Sequence, residues 1–340
     1  FNDLNLLSIK AFSKSLELNT ECCPGNRIIN NSKLSDLVSA GNTLFVATGN
    51  GFEFNANFST STISINNTFT IDLPLIINNY QNIVMAQNSH IDLINGGSLT
   101  ISNSHLKSCG KLWKGITARS GGTIEILDNS IIEDAIQAVT CEADAAYRFE
   151  NSTLNNNLNG LLITGTANGN INDCQFTNST GTLLPPYAGE PSNKGIEAWA
   201  TEDIEIGPGN VFDGLQTGIS LWLTNANVNE CTFQNLVTDP LQPLNTGIGI
   251  YAQGDFGIPG YTPPFTNYTL NVYGMGKNAP SPNFSNLRTG IMLRNMNAKE
   301  IINNYMNGVA YGVRAQLCHG GYININENRI ANVSNTDILF

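Results

Sequence analysis

Short segments in which apolar and polar residues alternate recur along most of the chain. Alternation with a period of two is typical of strands that bury one face. Many of these segments carry a glycine followed by an aliphatic residue. The pairs are Gly115-Ile116, Gly160-Leu161, Gly195-Ile196, Gly218-Ile219, Gly247-Ile248, Gly290-Ile291 and Gly312-Val313, with Ala135-Ile136 as a variant. Where no extra segment intervenes, successive aliphatic positions are 20 to 25 residues apart. A repeat of about 22 residues built from short strands predicts a β-solenoid.

A second repeated feature is a small polar residue or cysteine two places before an apolar one. It occurs at Asn129, Cys174, Asn210, Cys231, Asn304 and Asn328. Stacked asparagines can form a hydrogen-bonded ladder, and asparagine also tolerates the left-handed conformation of tight turns. Cysteine is small enough to replace it and is often buried. Cys174 and Cys231 would lie two coils apart, about 9.6 Å, which exceeds the reach of a disulfide. We therefore interpret both cysteines as ladder residues.

These features together resemble a known fold family. The stretch "LWKGITARSGGTIEILDNSIIEDAIQAV", residues 112–139, is similar to secreted Bacteroidetes-type β-helix repeat proteins. The Gly-Ile strand and the asparagine ladder resemble the right-handed parallel β-helix of the pectate-lyase-like superfamily, over about residues 60–335. The resemblance implies an all-β fold with three strands per coil, an Asn/Cys ladder and inserted loops. It does not select an activity, because the superfamily includes lyases, hydrolases, isomerases, tailspikes and adhesins.

The chain divides into an entry segment and a solenoid. Residues 1–59 are expected to cap the open end of the solenoid, with residues 3–18 forming either a helix or a strand. Residues 60–340 are expected to form the β-helix, with loops inserted at 180–194, 236–245 and 252–268. The C-terminal end shows no cap, as though the solenoid or the polypeptide continued.

One outward-facing column of the predicted solenoid is rich in aromatic residues. With the aliphatic residues of the Gly-Ile pairs facing inward, the third residue after each of them faces solvent. These are Arg119, Val139, Thr164, Trp199, Trp222, Tyr251, Arg294 and Gln316. Trp199, Trp222 and Tyr251 would then form an aromatic strip with a spacing of about 4.8 Å.

The neighbouring outward column supplies Glu197, Ser220 and Gly249 as the floor of a groove beside the strip. The resemblance implies that a polysaccharide would lie in this groove, with Trp199, Trp222, Tyr251, Glu197 and Arg294 as candidate ligand-binding residues. Two arrangements stay open. The strip could be an exposed platform for sugars, or the loop aromatics could cover it as a satellite core. The loop aromatics are Phe256, Tyr261, Phe265 and Tyr268.

Charge and cysteine content narrow the range of partners. A net charge of −11 and a pI near 4.6 argue against nucleic acid or an anionic membrane as partner. No apolar run is long enough to span a membrane. The chain begins at Phe1, which suits a processed secreted protein or a fragment of a larger one. Seven cysteines leave at least one without a partner in the chain, and the pairing of Cys22, Cys23, Cys109, Cys141 and Cys318 stays open.

The sequence gives little support for a catalytic function. Glycoside hydrolysis needs two facing carboxylates, and lyases of the superfamily need clustered acids for calcium and a basic residue. The predicted groove floor offers Glu197 alone, Asp255 lies on a loop, and His319 is expected to be structural. No cofactor is implied, and calcium has no supporting motif. The other acidic residues fall on other faces or turns; they are Asp173, Asp203, Glu205, Asp213 and Glu230.

The sequence therefore favours a secreted or cell-surface β-helix module with a structural or adhesive role, as part of a larger protein or assembly. Its expected partners are a polysaccharide or cell-surface glycan, neighbouring domains, or further copies of itself. The alternatives are a polysaccharide lyase or glycoside hydrolase acting in the same groove, and a pure scaffold subunit of a filament or surface appendage.

Overall fold

The computed structural model describes residues 27–242, 245–254, 268–296, 298–318 and 323–339, with the backbone alone at 298–299 and 336–339. The segment predicted as a capping helix or strand, 3–18, lies outside these ranges. The described chain winds through successive coils of three short strands, which pair in parallel with their counterparts in neighbouring coils. The exception is the strand Phe45–Thr48, which pairs antiparallel with Gly51–Phe54. The coils thus form three long sheets around a common core, which confirms the predicted parallel β-helix.

The three sheets are numbered in the order in which the chain passes through them after each Gly-aliphatic pair. The first sheet contains His90–Leu93, Gly115–Ala118, Gln137–Cys141, Asn159–Thr164, Lys194–Trp199, Thr217–Trp222, Ile248–Gln253 and Thr336–Leu339. The second contains Phe45–Thr48, Gly51–Phe54, Leu75–Asn78, Ser98–Ser102, Thr123–Leu127, Ala146–Glu150, Asn168–Asn172, Ile204–Ile206, Ala226–Asn229, Thr269–Tyr273, Ala298–Ile302 and Ile323–Asn326. The third contains Ile83–Met85, His105–Ser108, Ile131–Glu133, Thr153–Asn155, Gln175–Thr177, Val211–Asp213, Thr232–Gln234 and Arg329–Ala331.

Four longer strands turn the corner from the third sheet into the first without a break. They are Arg27–Lys33, Ile63–Ile71, Phe284–Arg294 and Tyr305–Gln316. The strand Arg27–Lys33 already pairs in parallel with Ile63–Ile71, so the coils begin well before the predicted boundary at residue 60. The α-helix Leu34–Ser39 follows it and buries Leu34, and a 3₁₀ turn occupies Ala56–Phe58.

The observed register corrects two of the predicted Gly-aliphatic pairs. Ile219 pairs with Ile250, so the repeat uses Gly249-Ile250 instead of Gly247-Ile248. Likewise Val139 pairs with both Ile116 and Leu161, and it faces the core where Ile136 and an outward Val139 were expected. Each segment offers more than one glycine- or alanine-aliphatic pair, and local sequence alone does not choose between them.

Four phenylalanine rings from successive coils form a stack inside the β-helix, here called the phenylalanine stack. Its members are Phe176, Phe212, Phe233 and Phe284. Their ring centroids are 5.0, 4.8 and 4.7 Å apart, and neighbouring rings are within 13° of parallel. A Cβ placed on Gly218 would lie 2.6 Å from a ring carbon of Phe233. The glycine of the Gly-Ile pairs is therefore required because the stacked rings occupy the space of a side chain.

The predicted ladder exists, and serines extend it into the earlier coils. Its members, here called the turn ladder, are Ser104, Ser130, Ser152, Cys174, Asn210, Cys231, Asn304 and Asn328. Asn129 is not among them, because Ser130 takes the ladder position. Asn129 is exposed and has φ 61°, so it is the left-handed turn residue immediately before the ladder.

Members of the turn ladder donate hydrogen bonds to backbone carbonyls of the preceding coil. Asn210 Nδ2 donates to the carbonyl of Ile171 at 2.8 Å, and its Oδ1 accepts from the N–H of Cys174 at 2.9 Å. The Cys231 thiol lies 3.7 Å from the carbonyl oxygen of Ile206. Burial raises the pKa of the Cys231 thiol to about 12, so it stays protonated and can donate. Cys174 and Cys231 are both free thiols, as expected of ladder residues.

Candidate functional site

The aromatic strip lies on the outer face of the first sheet, with one change of register. Trp199 pairs with Trp222, and their rings stack at a centroid distance of 5.7 Å and an interplanar angle of 19°. Trp222 pairs next with Gln253, whereas Tyr251 pairs with Ser220. Tyr251 therefore belongs to the neighbouring outward column of Glu197 and Ser220. It still reaches the strip, because its ring centroid lies 5.5 Å from that of Trp222 at an angle of 47°.

The change of register also corrects the groove floor. Gly249 was expected on the floor beside Tyr251, but it lies in the glycine column that faces the phenylalanine stack, 2.8 Å from a ring carbon of Phe284 when a Cβ is added. The shift amounts to two residues, and strand side chains alternate with a period of two. Tyr251 thus stays on the outer face and moves only between adjacent columns.

The three rings of the strip differ in accessibility. Trp199 is 41% exposed, Trp222 is half-buried, and Tyr251 is buried against Ile248 and Met292. One face of the Trp199 ring rests on Trp222. In the preceding coil the same column holds Thr164, whose side chain is much smaller than an indole. The outer surface is therefore lower at Thr164 than at Trp199.

Tyr268 is one of the loop aromatics expected as a cover for the strip in one of the two open arrangements. It is buried in the main core instead. Phe256, Tyr261 and Phe265 lie outside the described residues, as does Asp255. Within the described part of the chain, the hydrophobic residues that pack with the strip are Ile248 and Met292. At its Trp199 end, the strip is accessible.

An inserted loop runs beside the first sheet, on the side where its strands begin. It connects the strands Gln175–Thr177 and Lys194–Trp199. The N–H of Leu112 donates to the carbonyl of Pro185 at 2.8 Å, and the N–H of Asn193 donates to the carbonyl of Leu158 at 2.7 Å. The loop therefore extends back along earlier coils, including those that lead up to Trp199, and lines one side of their outer face.

The carboxylates on this face are held by cations. Lys194 Nζ lies 2.5 Å from Glu197 Oε1. Three coils before Trp199, Arg119 bridges Asp92 and Glu142 with contacts of 2.8 Å to each. The hydrogen bond that Arg119 donates to Asp92, together with the charges of Asp92 and Glu142, raises the pKa of Arg119 above its ordinary value. A guanidinium held in this way is a poor candidate for a proton-abstracting base.

The other acidic residues lie away from the face, as the sequence predicted. Asp173, Asp203 and Glu230 have positive φ and occupy turns, Glu205 lies on the second sheet, and Asp213 lies on the third. His319 is outside the described residues.

Arg294 lies on the predicted face and contacts the strip through Tyr251. Its Nε donates to Gln316 Oε1 at 3.1 Å, and its Nη1 lies 3.4 Å from the Tyr251 hydroxyl. The Tyr251 hydroxyl also donates to Gln253 Oε1. Burial raises the pKa of Tyr251, although the nearby Arg294 opposes the shift. The tyrosine therefore stays protonated and acts as a hydrogen-bonding link within the face.

Asp134, at the corner between the third and first sheets, is a perturbed carboxyl that sequence reasoning did not single out. Burial, with a smaller contribution from the charge of Glu133, raises its pKa to about 6. Glu133 is itself held ionised, since His105 Nε2 lies 2.9 Å from its Oε2 and the hydrogen bond lowers its pKa. Asp134 has φ 60°, and Asn156 takes the same position in the next coil with φ 52°.

The substitution Asp134→Asn is expected to stabilise the protein at pH 8. Because the folded-state pKa lies above the unfolded value, the contribution of Asp134 to stability falls as the pH rises through about 6. Allowing for the partial exposure of the side chain, the gain should be about 1 kcal/mol at pH 8. It should vanish near pH 4. Urea unfolding at both pH values measures this difference. Equal stability of variant and wild type at pH 8 would contradict the assignment.

Within the described ranges, no three His, Cys, Asp or Glu side chains are arranged to hold a metal ion. The part of the chain with described structure contains no helix with the length and apolar character of a membrane span.

Comparison with known proteins identifies the fold. Residues 114–258 match a family model described as "Right handed beta helix region". Among solved structures, the chain is similar to the catalytic domain of a GH87 alpha-1,3-glucanase in complex with tetrasaccharides. That similarity has 12% identity and a TM-score of 0.32, and it covers 84% of this chain and 68% of that chain. Similarity at this level gives no information on activity. No curated protein matches the sequence. The family match over residues 114–258 and the parallel sheets show that the chain has a right-handed parallel β-helix fold.

Proposed function

We propose that this right-handed parallel β-helix is a secreted or cell-surface module, structural or adhesive in role, that binds a linear polysaccharide along the outer face of its first sheet. The observation that supports the proposal most strongly is the Trp199–Trp222 stack, with Trp199 41% exposed at its end. Single exposed apolar residues are common on protein surfaces. Two stacked indoles in line with the axis of a stiff solenoid are a more specific arrangement.

The smaller side chain of Thr164 leaves space for a sugar ring beside Trp199. Successive coils are about 4.8 Å apart, which is similar to the thickness of a stacked ring. A sugar ring lying above Thr164 would continue the indole stack, with its C–H face against the free face of Trp199. Aromatic side chains in binding sites provide large apolar contact of this kind with little loss of conformational freedom.

Polar groups along the same face can then contact the sugar hydroxyls. The Lys194–Glu197 pair lies in the same strand as Trp199, and the loop 178–193 lines the side of the coils before it. Because the face is built on rigid strands, little ordering is needed when a polymer binds, which favours affinity.

The charges of the face favour binding over cleavage. Hydrolysis uses one ionised and one protonated carboxyl that face each other across the substrate. On the described outer face, Asp92, Glu142 and Glu197 are each held by a cation. Incubation with a panel of polysaccharides should therefore produce no new reducing or unsaturated ends. Their release would favour the alternative of a lyase or hydrolase.

The substitution Trp199→Ala is expected to weaken polysaccharide binding about tenfold or more, because the stacking platform is lost. Isothermal titration calorimetry with a polysaccharide that binds the wild type measures the change. Trp199→Phe should retain most of the affinity, and Leu241→Ala, at an 89% exposed loop position, should leave it unchanged. Unaltered affinity in Trp199→Ala would place any glycan site elsewhere.

A further inference from the structure

Two arginines near the C-terminal end of the first sheet share one aromatic ring. The guanidinium carbon of Arg314 lies 4.6 Å from the ring centroid of Tyr311, and that of Arg288 lies 5.8 Å from it. Each is within the range of a cation–π contact. The ring of Tyr311 thus interacts with two positively charged groups.

Neither arginine has a carboxylate partner in the described part of the chain. No ion pair within 4.0 Å involves Arg288 or Arg314, whereas Arg119, Arg148 and Lys194 each have a carboxylate within that distance. Moreover, Nη1 of Arg288 and Nε of Arg314 are buried and have no hydrogen-bond partner among the described residues. Within that part of the chain, the cluster contains charge without a counter-charge and donors without acceptors.

Such an arrangement destabilises the folded protein unless an anion binds to it. Like charges in a partly buried site repel each other, and a buried donor without an acceptor costs about 1–3 kcal/mol. Guanidinium groups match the oxygens of carboxylate and sulfate groups, and these charge-assisted hydrogen bonds are about twice as strong as neutral ones. An oxyanion between the two arginines would meet both needs at once.

A recess lies beside Arg288, at the corner between the third and first sheets. It is a shallow cavity of about 360 Å³, and Tyr311 and Arg314 are not part of its lining. Its apolar lining residues are Leu236, Leu287, Val309 and Ala310, and Asn286, Asn332 and Ser334 add hydrogen-bonding groups. The recess therefore makes the Arg288 side of the cluster accessible to a ligand of mixed polarity.

The cluster also lies on the face that carries the aromatic strip. Tyr251 pairs with Met292 and Met292 pairs with Arg314, so Arg314 lies two coils beyond Tyr251 in the same outward column. Tyr311 lies in the column of Thr217, at the start of the strand that contains Trp222, three coils further on and about 14 Å along the axis. Arg294, between them, is bonded only to the neutral groups of Gln316 and Tyr251 in the described structure.

We propose that Arg288, Tyr311 and Arg314 form an oxyanion site that binds a carboxylate or sulfate group of an acidic polysaccharide. The polysaccharide as carrier rests on the proposed function, whereas the anion site itself does not. The site would select acidic over neutral polymers at one end of the groove, while Trp199 contacts the sugar ring at the other.

The test uses the whole chain and compares the double variant Arg288→Gln/Arg314→Gln with wild type. Sodium sulfate should raise the melting temperature of the wild type more than sodium chloride at equal ionic strength. The excess should be smaller in the double variant, where only the general stabilisation by excluded sulfate remains. The control Arg148→Gln, at an exposed and ion-paired position on the second sheet, should respond as the wild type does. An equal excess in the wild type and the double variant would overturn the site.

Binding of oligosaccharides then separates the two proposals. Tetragalacturonate and a sulfated oligosaccharide of similar length should each bind the double variant about tenfold more weakly or worse, whereas binding of cellotetraose should be unchanged. A sulfate effect without any sugar binding would support the anion site and count against the polysaccharide. Acidic and neutral sugars that bind equally to both proteins would overturn the anion site and leave the groove intact.

Discussion

Replacing Phe233 by alanine is expected to lower the free energy of unfolding by about 3–5 kcal/mol. Phe233 is fully buried and stacks on Phe212 at 4.8 Å and on Phe284 at 4.7 Å. The cavity cannot be refilled from the neighbouring strand, because Gly218 faces the ring and has no side chain to move. Both the lost burial and the remaining cavity therefore contribute to the cost.

Chemical denaturation followed by circular dichroism measures this loss. The matched variant Phe233→Leu keeps most of the apolar volume and should cost markedly less than the alanine variant. A loss below about 1.5 kcal/mol for Phe233→Ala would mean that the coils collapse into the cavity. The stacked rings would then not be the support of the core that their geometry indicates.

Replacing Asn210 by leucine should cost about 3 kcal/mol, because two buried backbone groups lose their partners. Asn210 is fully buried, donates to the carbonyl of Ile171 and accepts from the N–H of Cys174. Leucine can do neither. The same denaturation experiment measures the effect, which arises from unmet hydrogen bonds and not from lost volume.

Substitution of Cys231 by serine provides the contrast at the next rung of the turn ladder. Serine already occupies this column at positions 104, 130 and 152, where its hydroxyl donates to carbonyls of the preceding coil. We expect Cys231→Ser to change stability by less than about 1 kcal/mol. If it destabilised as strongly as Asn210→Leu, the ladder would depend on the packing of the side chain more than on its hydrogen bond.

The sequence was sufficient for the fold because the same physical demand recurs in every coil. Each coil needs an inward aliphatic residue and a small hydrogen-bonding residue at the buried turn, so the pattern repeats in the chain. The serines of the ladder are not distinctive in the sequence, because serine is common in turns for other reasons. The pattern predicts Asn129 instead of Ser130 as a ladder residue, because asparagine also occupies the adjacent left-handed position.

The register between neighbouring strands was predicted less well than the fold. The strand that carries Tyr251 shows the reason. In the segment "TGIGIY" two glycine-isoleucine pairs fit the repeat, and the choice depends on which glycine must face Phe284. That contact joins residues far apart in sequence. The Trp199–Trp222 pairing was predicted correctly because their two strands have the same length and one unambiguous Gly-Ile pair each.

The arginine cluster and Asp134 could not be read from the chain. The two arginines meet through Tyr311, which belongs to a different coil from Arg288. The pKa of Asp134 depends on how deeply its corner is buried. Both features are set by packing between coils, which a one-dimensional pattern does not contain.

Tryptophan fluorescence during titration with acidic and neutral polysaccharides tests the central claim most directly, because Trp199 and Trp222 lie on the proposed face while Trp113 is fully buried in the core. We predict a saturable change in emission with at least one acidic polysaccharide, and its loss in the Trp199→Ala, Trp222→Ala double variant. An emission spectrum that no polysaccharide alters, or a change that survives in the double variant, would contradict a glycan platform on the first sheet.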